Sequence, residues 1–584
     1  MRGLYRELFL QGDQGGGMNM ELANIMEVNG LPVKIEGERN LLEVISKAGI
    51  RLPVFCYHSD LSIYGACRMC MVEDEKGRLM AACSTLPRSG MKIRTNTGRL
   101  FKYRKNILEL LLASHCRDCT TCEKSGNCQL QRLAVQFGIS GVRFPNDKTK
   151  EKKDESSLSI IRDTSKCILC GDCVRECNEV QHVGAIDFAF RGAETEISTS
   201  FGKPIAETLC VHCGQCAAVC PTGAIVIRDD TEKVWEKLDD PEAFVTCEIA
   251  PAVRVGIGKE LGLGNGENAM GLVVAALHRM GFDEVYDTAS GADLTVIEEA
   301  NEFIDRLENG GKLPLFTSCC PAWVQYMEKK YPEMLPHVST SRSPLSMFAA
   351  VIKAYYKDKL PEGKKIHYHV ALMPCTAKKY EAKRPEFATE YGPNTDDVIT
   401  TQELIRMIRR SGIYFNELEP ESVDLPFGTT SGAGVIFGVT GGVTEAVLRK
   451  ISAGRSKAEL ARIEFTGIRG MENVKEAYLQ YGDKKLHIAV VSGLANARKI
   501  VKGIRGGEMD YDLVEVMACR GGCISGAGQP YISQRHRGER ADGLYRSDKA
   551  SVIRRSQDNP LMDTLYEGIL KNRTHELLHV HYEC

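Results

Sequence analysis

The residues best equipped for chemistry are cysteines, and their spacing sorts them into groups. Of 23 cysteines in 584 residues, sixteen precede residue 221 and seven follow it. They make up roughly 4% of the chain, below the roughly 8–10% of small disulfide scaffolds, and a chain this long needs no such staples. Clustered thiols in such a chain point to metal or redox chemistry in a reducing cytoplasm. Cys56, Cys67, Cys70 and Cys83 form a C-x10-C-x2-C-x12-C pattern. Four thiolates satisfy a 2Fe–2S cluster, the close Cys67/Cys70 pair gripping one iron, although a structural zinc takes the same number of ligands. His115, Cys119, Cys122 and Cys128 follow. Three thiolates leave a 4Fe–4S cube one ligand short, and spacing alone admits either His115 or Cys116 as the fourth.

The elements around the first group read strand–turn–strand–helix over MEVNGLPVKIEGERNLLEVISKAGI, followed by a long cysteine loop. That order resembles the β-grasp fold of plant-type ferredoxins. Further on, C-x2-C-x2-C-x3-C occurs at Cys167, Cys170, Cys173 and Cys177, and again at Cys210, Cys213, Cys216 and Cys220. The runs are followed by VGAI (183–186) and TGAI (222–225). This is the two-cluster bacterial ferredoxin pattern, in which the fourth cysteine of each run ligates the other cube. One cube is expected on Cys167, Cys170, Cys173 and Cys220, the other on Cys210, Cys213, Cys216 and Cys177. Pro221 follows Cys220 as in that pattern, whereas Asn178 follows Cys177. Clusters in succession form a wire, and the remaining cysteines mark what lies at its end.

KLPLFTS (312–318), HYHVALMP (367–374), LHIAVVSG (486–493) and DLVEVMA (512–518) read as strands; amphipathic helical segments such as 298–308 and 402–410 lie between them. This predicts an α/β domain with largely parallel strands. Cys319/Cys320, Cys375 and Cys519 each fall just past the end of such a strand, the edge at which α/β sheets bind ligands. Cys519-Arg-Gly-Gly-Cys523 places two glycines where backbone would have to approach a bulky cluster. Four thiolates from three strand ends describe a further cube. Adjacent side chains of extended backbone point apart, so Cys319 and Cys320 are not expected on one iron. A free thiol, with an ordinary pKa near 8.5, can exchange protons. Glu299, Glu302 and Arg306 share one helix face, which periodicity alone reads as a solvated charged stripe.

FTSCCPAW (316–323), LMPCTAKKYE (372–381) and EVMACRGGC (515–523) resemble the three signature stretches of FeFe-hydrogenases. The order of the cluster segments is similar to that of the long bacterial members, so the resemblance covers nearly the whole chain. It implies reversible interconversion of two protons and two electrons with H₂. It also implies an H-cluster whose 4Fe–4S cubane is bound by Cys320, Cys375, Cys519 and Cys523. By the same resemblance, Cys523 would bridge to a di-iron subsite carrying CO, cyanide and azadithiolate. The resemblance assigns a proton relay to Cys319, Glu299, Ser339, Glu302 and Arg306, and a cyanide contact to Lys378. It packs Met373 and Met517 around the di-iron unit, positions that core filling would explain equally well. It selects His115 as a cluster ligand; Cys247 and Cys584 have no partner pattern and, with Cys116, are read as non-ligands. The implied inventory is one 2Fe–2S cluster, three 4Fe–4S clusters and the H-cluster.

The expected fold class is multidomain α+β and α/β. A leader (1–23) precedes a β-grasp 2Fe–2S domain (24–100), a His/Cys3 domain (101–145) and a linker (146–157). A two-cluster ferredoxin-like domain (158–230) and a large catalytic domain (240–584) follow, with the acidic stretch Asp229–Asp240 as a separator. Lys plus Arg (75) and Asp plus Glu (77) nearly balance at a net charge of -2, which gives no support to a nucleic-acid or membrane-surface binder. GLGNGENAMG (262–271) and SGAGVIFGVTGG (431–442) lack the G-x-G-x-x-G spacing of a dinucleotide site, so electrons are expected to pass to ferredoxin or to an NAD(P)H- or flavin-binding partner subunit. The HELLHVHY tail (575–582) is similar to catalytic subunits of NAD(P)-linked hydrogenases. Three other resemblances fit less of the chain. Hydrogenase-like assembly proteins should not keep Cys319, Lys378 and the relay carboxylates together; sensory relatives carry a signalling domain; complex I-type subunits leave the three C-terminal stretches without purpose.

Overall fold

The computed structural model describes residues 24–145, 153–452, 467–532 and 534–582, with the side chains of 534 and 535 left aside. The expected leader, residues 146–152 of the expected linker and Cys584 lie outside them. The chain forms two compact units. The first takes Met1–Glu151, Ser165–Asp172 and Pro221–Gly223; the second takes the remainder.

In the first unit Ile25–Val28 pairs antiparallel with Leu31–Lys34. Asn29 and Gly30 make the turn with φ of 54° and 83°, the left-handed pair that a two-residue hairpin demands. Ile25–Val28 also runs parallel to Lys92–Arg94, and Met71–Asp74 and Leu79–Ala81 complete a five-stranded sheet. The helix Leu41–Lys47 starts at Asn40, whose side chain accepts from Glu43 N, and buries Leu41, Val44 and Ile45. This is the strand–turn–strand–helix order expected from the sequence. The helix Gly98–Ala113, capped by Thr97, leads to the His115 loop.

The second unit carries two four-stranded sheets. Glu284–Asp287, Ala243–Ile249, Ile366–Met373 and Asp397–Thr400 lie in that order, all parallel. In the other, Leu315–Phe316, Leu513–Met517 and Lys484–Ser492 are parallel, and Val474–Tyr481 adds an antiparallel edge. Every residue of Ala243–Ile249 and Leu513–Met517 is buried, as strands covered on both faces require. The 21-residue helix Ala289–Asn309 packs beside them. No helix among the described residues is long and apolar enough to cross a membrane.

Three details depart from the sequence reading. The strand expected over 312–318 is only Leu315–Phe316, because Pro314 has no N–H to give a ladder. Lys153–Asp154, read as linker, pairs antiparallel with Arg162–Asp163, its charged side chains tolerated on an edge. Asp229–Asp240 is no separator: it holds the helix Thr231–Leu238, and Asp230 enters a buried ion pair with Lys379 at 2.6 Å.

Candidate functional site

In the second unit, strand ends deliver the cysteines to one cavity. Cys319 and Cys320 follow Leu315–Phe316, Cys375 follows Ile366–Met373 and Cys519 follows Leu513–Met517. Pro321 starts a helix directly after Cys320, its fixed φ suiting the first turn. Cys319, Cys320, Cys375, Cys519 and Cys523, with Met373, Met517 and Lys378, line a mostly apolar cavity. Gly522, at φ 91°, lies so close to the 438–440 backbone that a Cβ there would meet Thr440 N at 2.6 Å. Gly522 thus serves the approach of backbone to backbone, between the 519–523 and 438–440 segments.

Burial raises the pKa of every one of these thiols, that of Cys375 to about 11. Crowded neutral thiols in an apolar pocket gain little from one another, whereas iron would deprotonate them and supply the missing charge. The donor set fits a sulfur-ligated cluster. Lys378 is buried; desolvation pulls its pKa down, but Glu381 at 2.6 Å outweighs this and keeps it raised. Its Nζ also donates to Cys319 O at 3.3 Å. An ammonium is thereby fixed at the cavity wall, where it can hold an anionic group.

The residues expected to form the relay also meet. Glu299, read by periodicity as a solvated stripe, is fully buried. Burial first, then the neighbouring Glu302, pushes its pKa up to about 8, so it is largely neutral at pH 7. Ser318 N donates to its carboxyl at 3.4 Å, and that carboxyl, once ionised, would push the adjoining Cys319 thiol further up. The Ser339 hydroxyl donates to Glu302 at 2.7 Å and also lies against Glu299. Arg306 donates to Glu302 at 2.5 Å, and Thr340 N donates to the same carboxylate at 3.0 Å. The polar line therefore runs from the cavity to the half-buried Arg306.

Sequence reasoning assigned no role to three residues here. Glu381 holds Lys378; its position three residues along a helix was the available signal. Glu515, inside the buried strand Leu513–Met517, accepts from Gly441 N (2.6 Å), Thr444 N (2.8 Å) and Thr444 Oγ1 (2.9 Å), and its charge reaches Glu299, Cys319 and Cys523. A carboxylate amid apolar strand residues was the clue. Gln215 donates to Cys519 Sγ, a contact across 304 positions that no local pattern announces.

The other groups are placed as follows. Cys67 N donates to Cys56 Sγ at 3.3 Å, Phe55 N to Cys67 Sγ at 3.4 Å and Cys83 N to Cys70 Sγ at 3.5 Å. His115 is buried, and Arg117 N donates to its Nδ1 at 3.0 Å. Cys116 lies beside it, its sulfur 4.0 Å from Nδ1. Cys119, Cys122 and Cys128 lie within electrostatic reach of one another. In the second unit Cys177, Cys210, Cys213 and Cys216 are drawn together and partly buried. Cys167 and Cys170 belong to the first unit, Cys173 and Cys220 to the second. Cys247 sits in the core of Ala243–Ile249, away from the cavity lining.

Comparison with known proteins gives this site a family. Residues 243–527 match the iron-only hydrogenase large subunit, C-terminal domain, and 534–583 the iron hydrogenase small subunit. Residues 25–98 match a 2Fe-2S iron-sulfur cluster binding domain, 104–143 the NADH-ubiquinone oxidoreductase-G iron-sulfur binding region, and 166–224 a 4Fe-4S dicluster domain. The NADP-reducing hydrogenase subunit HndD of Solidesulfovibrio fructosivorans is 41% identical over 95% of this chain and 98% of its own length. Iron hydrogenase 1 of Clostridium pasteurianum is 36% identical over 95% and 99%. An FeFe-hydrogenase structure from Chlamydomonas reinhardtii superposes with a TM-score of 0.53 at 36% identity, covering 61% of this chain and 99% of that one. The chain belongs to the iron-only, or FeFe, hydrogenase family: it is a hydrogenase with 2Fe–2S and 4Fe–4S domains and an H-cluster domain.

Proposed function

We propose that H₂ and protons are interconverted in the cavity bounded by Cys320, Cys375, Cys519 and Cys523, which would hold the cubane of the H-cluster, with Cys523 facing the di-iron subsite. When bound, that group supplies redox-active iron and a base that together split or form H₂. The observation that carries the reading is the juxtaposition of four cavity thiols with a hydrogen-bonded polar line beginning beside them. Cys319 moves a proton between the cavity and Glu299. Glu299, neutral near pH 7, hands it through the Ser339 hydroxyl to Glu302, and Arg306 anchors the outer end. Lys378, locked by Glu381, would hold an anionic cyanide ligand of the group, and Met373 and Met517, which line the cavity, would pack against its di-iron part and help exclude water.

Electrons would travel through one 2Fe–2S cluster on Cys56, Cys67, Cys70 and Cys83 and three 4Fe–4S clusters. The first of these uses His115, Cys119, Cys122 and Cys128. Because Arg117 N occupies Nδ1, His115 would bind through Nε2. The others use Cys167, Cys170, Cys173 and Cys220, and Cys210, Cys213, Cys216 and Cys177. The domains are a β-grasp domain (24–100), a His/Cys3 domain (101–145), a two-cluster ferredoxin-like domain (158–230) and the catalytic domain (240–584). All 22 described cysteines are free of disulfides, which supports a reducing cytoplasm. Likeness to the NADP-reducing subunit HndD and the absence of a G-x-G-x-x-G turn support a partner subunit that carries the NAD(P) or flavin site.

The matured full chain should evolve H₂ from reduced viologen and show carbonyl and cyanide infrared bands; absence of both overturns the reading. Native purification should co-elute a subunit that lets H₂ reduce NAD(P)⁺. Reduction of ferredoxin alone would overturn the partner assignment and leave the catalytic one intact.

A further inference from the structure

Gln215 lies between Cys213 and Cys216, yet its side chain reaches the cavity cysteines. Its Nε2 donates to Cys519 Sγ at 3.0 Å and to Ser525 O at 3.2 Å. A carbonyl can only accept, and so can a thiolate that holds iron, so the amide must present its NH₂ group and not its oxygen. A second contact joins the same 212–216 segment to a different cavity loop, the one that follows Cys375. Thr376, next to Cys375, donates through Oγ1 to His212 O at 2.9 Å, beside Cys213. Ser159 Oγ in turn donates to Thr376 O at 2.8 Å. Gly214 allows the approach: its φ is 65°, and a Cβ there would meet Thr376 Oγ1 at 2.3 Å. The segment bearing one ligand set is thus fastened to the segments bearing the other at two points.

We propose that Gln215 is a positioning residue that raises the reduction potential of the H-cluster cubane and fixes the link over which it exchanges electrons with the cluster on Cys177, Cys210, Cys213 and Cys216. The inference rests on the ligand assignment above. A hydrogen bond donated to a ligating sulfur draws electron density from it and favours the reduced, more negative state of the cluster. The step is a bare one-electron transfer: one cluster is oxidised, the cubane is reduced, and no atom or proton accompanies the electron. The route runs from the Cys213–Cys216 segment through the Gln215 amide and its N–H···S contact to Cys519.

The test is an infrared redox titration of the full-length matured enzyme, in which the carbonyl and cyanide bands report the cubane's oxidation state. Gln215→Leu removes both donors at similar size and should move the cubane midpoint to a more negative potential, lowering the reduced-to-oxidised ratio at the wild-type midpoint by about tenfold, which corresponds to 59 mV for one electron. Gln215→Glu places a carboxylate against the sulfur and should move it at least as far in the same direction, which keeps the test open if the leucine variant assembles poorly. The ratio of viologen-driven H₂ evolution to H/D exchange should fall in both, because exchange needs no electron from outside. An unchanged midpoint and an unchanged ratio in both variants overturn the proposal. Cys519→Ala separates this outcome from failure of the ligand assignment: should the cubane signal persist in that variant, the assignment is wrong, whatever Gln215 does.

Discussion

The two walls of the cavity are built differently. On the proton side, Glu299, Ser339, Glu302 and Arg306 already hold one another, and backbone N–H groups of Ser318 and Thr340 fix the carboxyls. On the sulfur side, thiols are crowded into an apolar pocket where burial first, and at Cys375 and Cys519 the neighbouring sulfurs as well, raise their pKa values, and Cys320 and Cys519 each receive an N–H donor at the edge. The proposed relay is therefore preorganised by secondary structure, whereas the sulfur wall would be complete only with the iron proposed for it. Loading the cofactor should stabilise the protein greatly and leave the relay's geometry as it is.

Cys375→Ala breaks the comparison most sharply. It should abolish H₂ turnover, remove the cubane signal and lower the thermal midpoint; retention of a full cubane signal would show that Cys375 is not a ligand. Cys319→Ala, one position from a ligand, should cut turnover by roughly 10²–10⁴-fold, the scale of general acid–base catalysis, while the infrared bands and cluster EPR signals survive. Activity within tenfold of wild type would mean that protons do not enter through this thiol.

How far the sequence reveals these walls depends on how local each device is. The cysteine groups, the Asn29-Gly30 hairpin and the buried strands could be read because neighbours in sequence determine them. Glu515 and Gln215 escaped because each acts on a partner contributed by another segment: Gln215 meets Cys519 across 304 positions, and Glu515 meets the Gly441–Thr444 turn. Asp230 misled for the same reason, since a polar stretch is a separator only if nothing such as Lys379 is folded against it. The family resemblance supplied the relay residues; periodicity alone would have left Glu299 in water.

The charge state of Glu299 gives a smaller effect with a definite sign. Its folded pKa, about 8, lies above the ordinary value of 4.5, so its contribution to stability is fully present below about pH 4.5 and is lost as pH rises through about 8. Glu299→Gln removes that slope. Denaturation of the full chain between pH 5 and 8 should show the variant gaining on wild type, by on the order of a few kcal/mol at the upper end. H₂ evolution by wild type should decline above pH 8 as the carboxyl ionises, and the variant should be slow throughout. Parallel stability curves would show that Glu299 is not neutral in the folded enzyme.

Thr340→Val probes the proton wall most gently. The Thr340 hydroxyl accompanies its backbone N–H in donating to Glu302, at 3.3 Å, and also meets His579 Nδ1 at 2.9 Å. Valine keeps the shape and the N–H while removing only the hydroxyl. Glu302 retains Ser339, Arg306 and the backbone donor, so the loss should be about 1 kcal/mol of stability and less than tenfold in turnover. If this variant were as slow as Cys319→Ala, Glu302 would not be held redundantly. The proton side would then depend on single contacts, as the sulfur side depends on its iron, and the contrast between the two walls would fail.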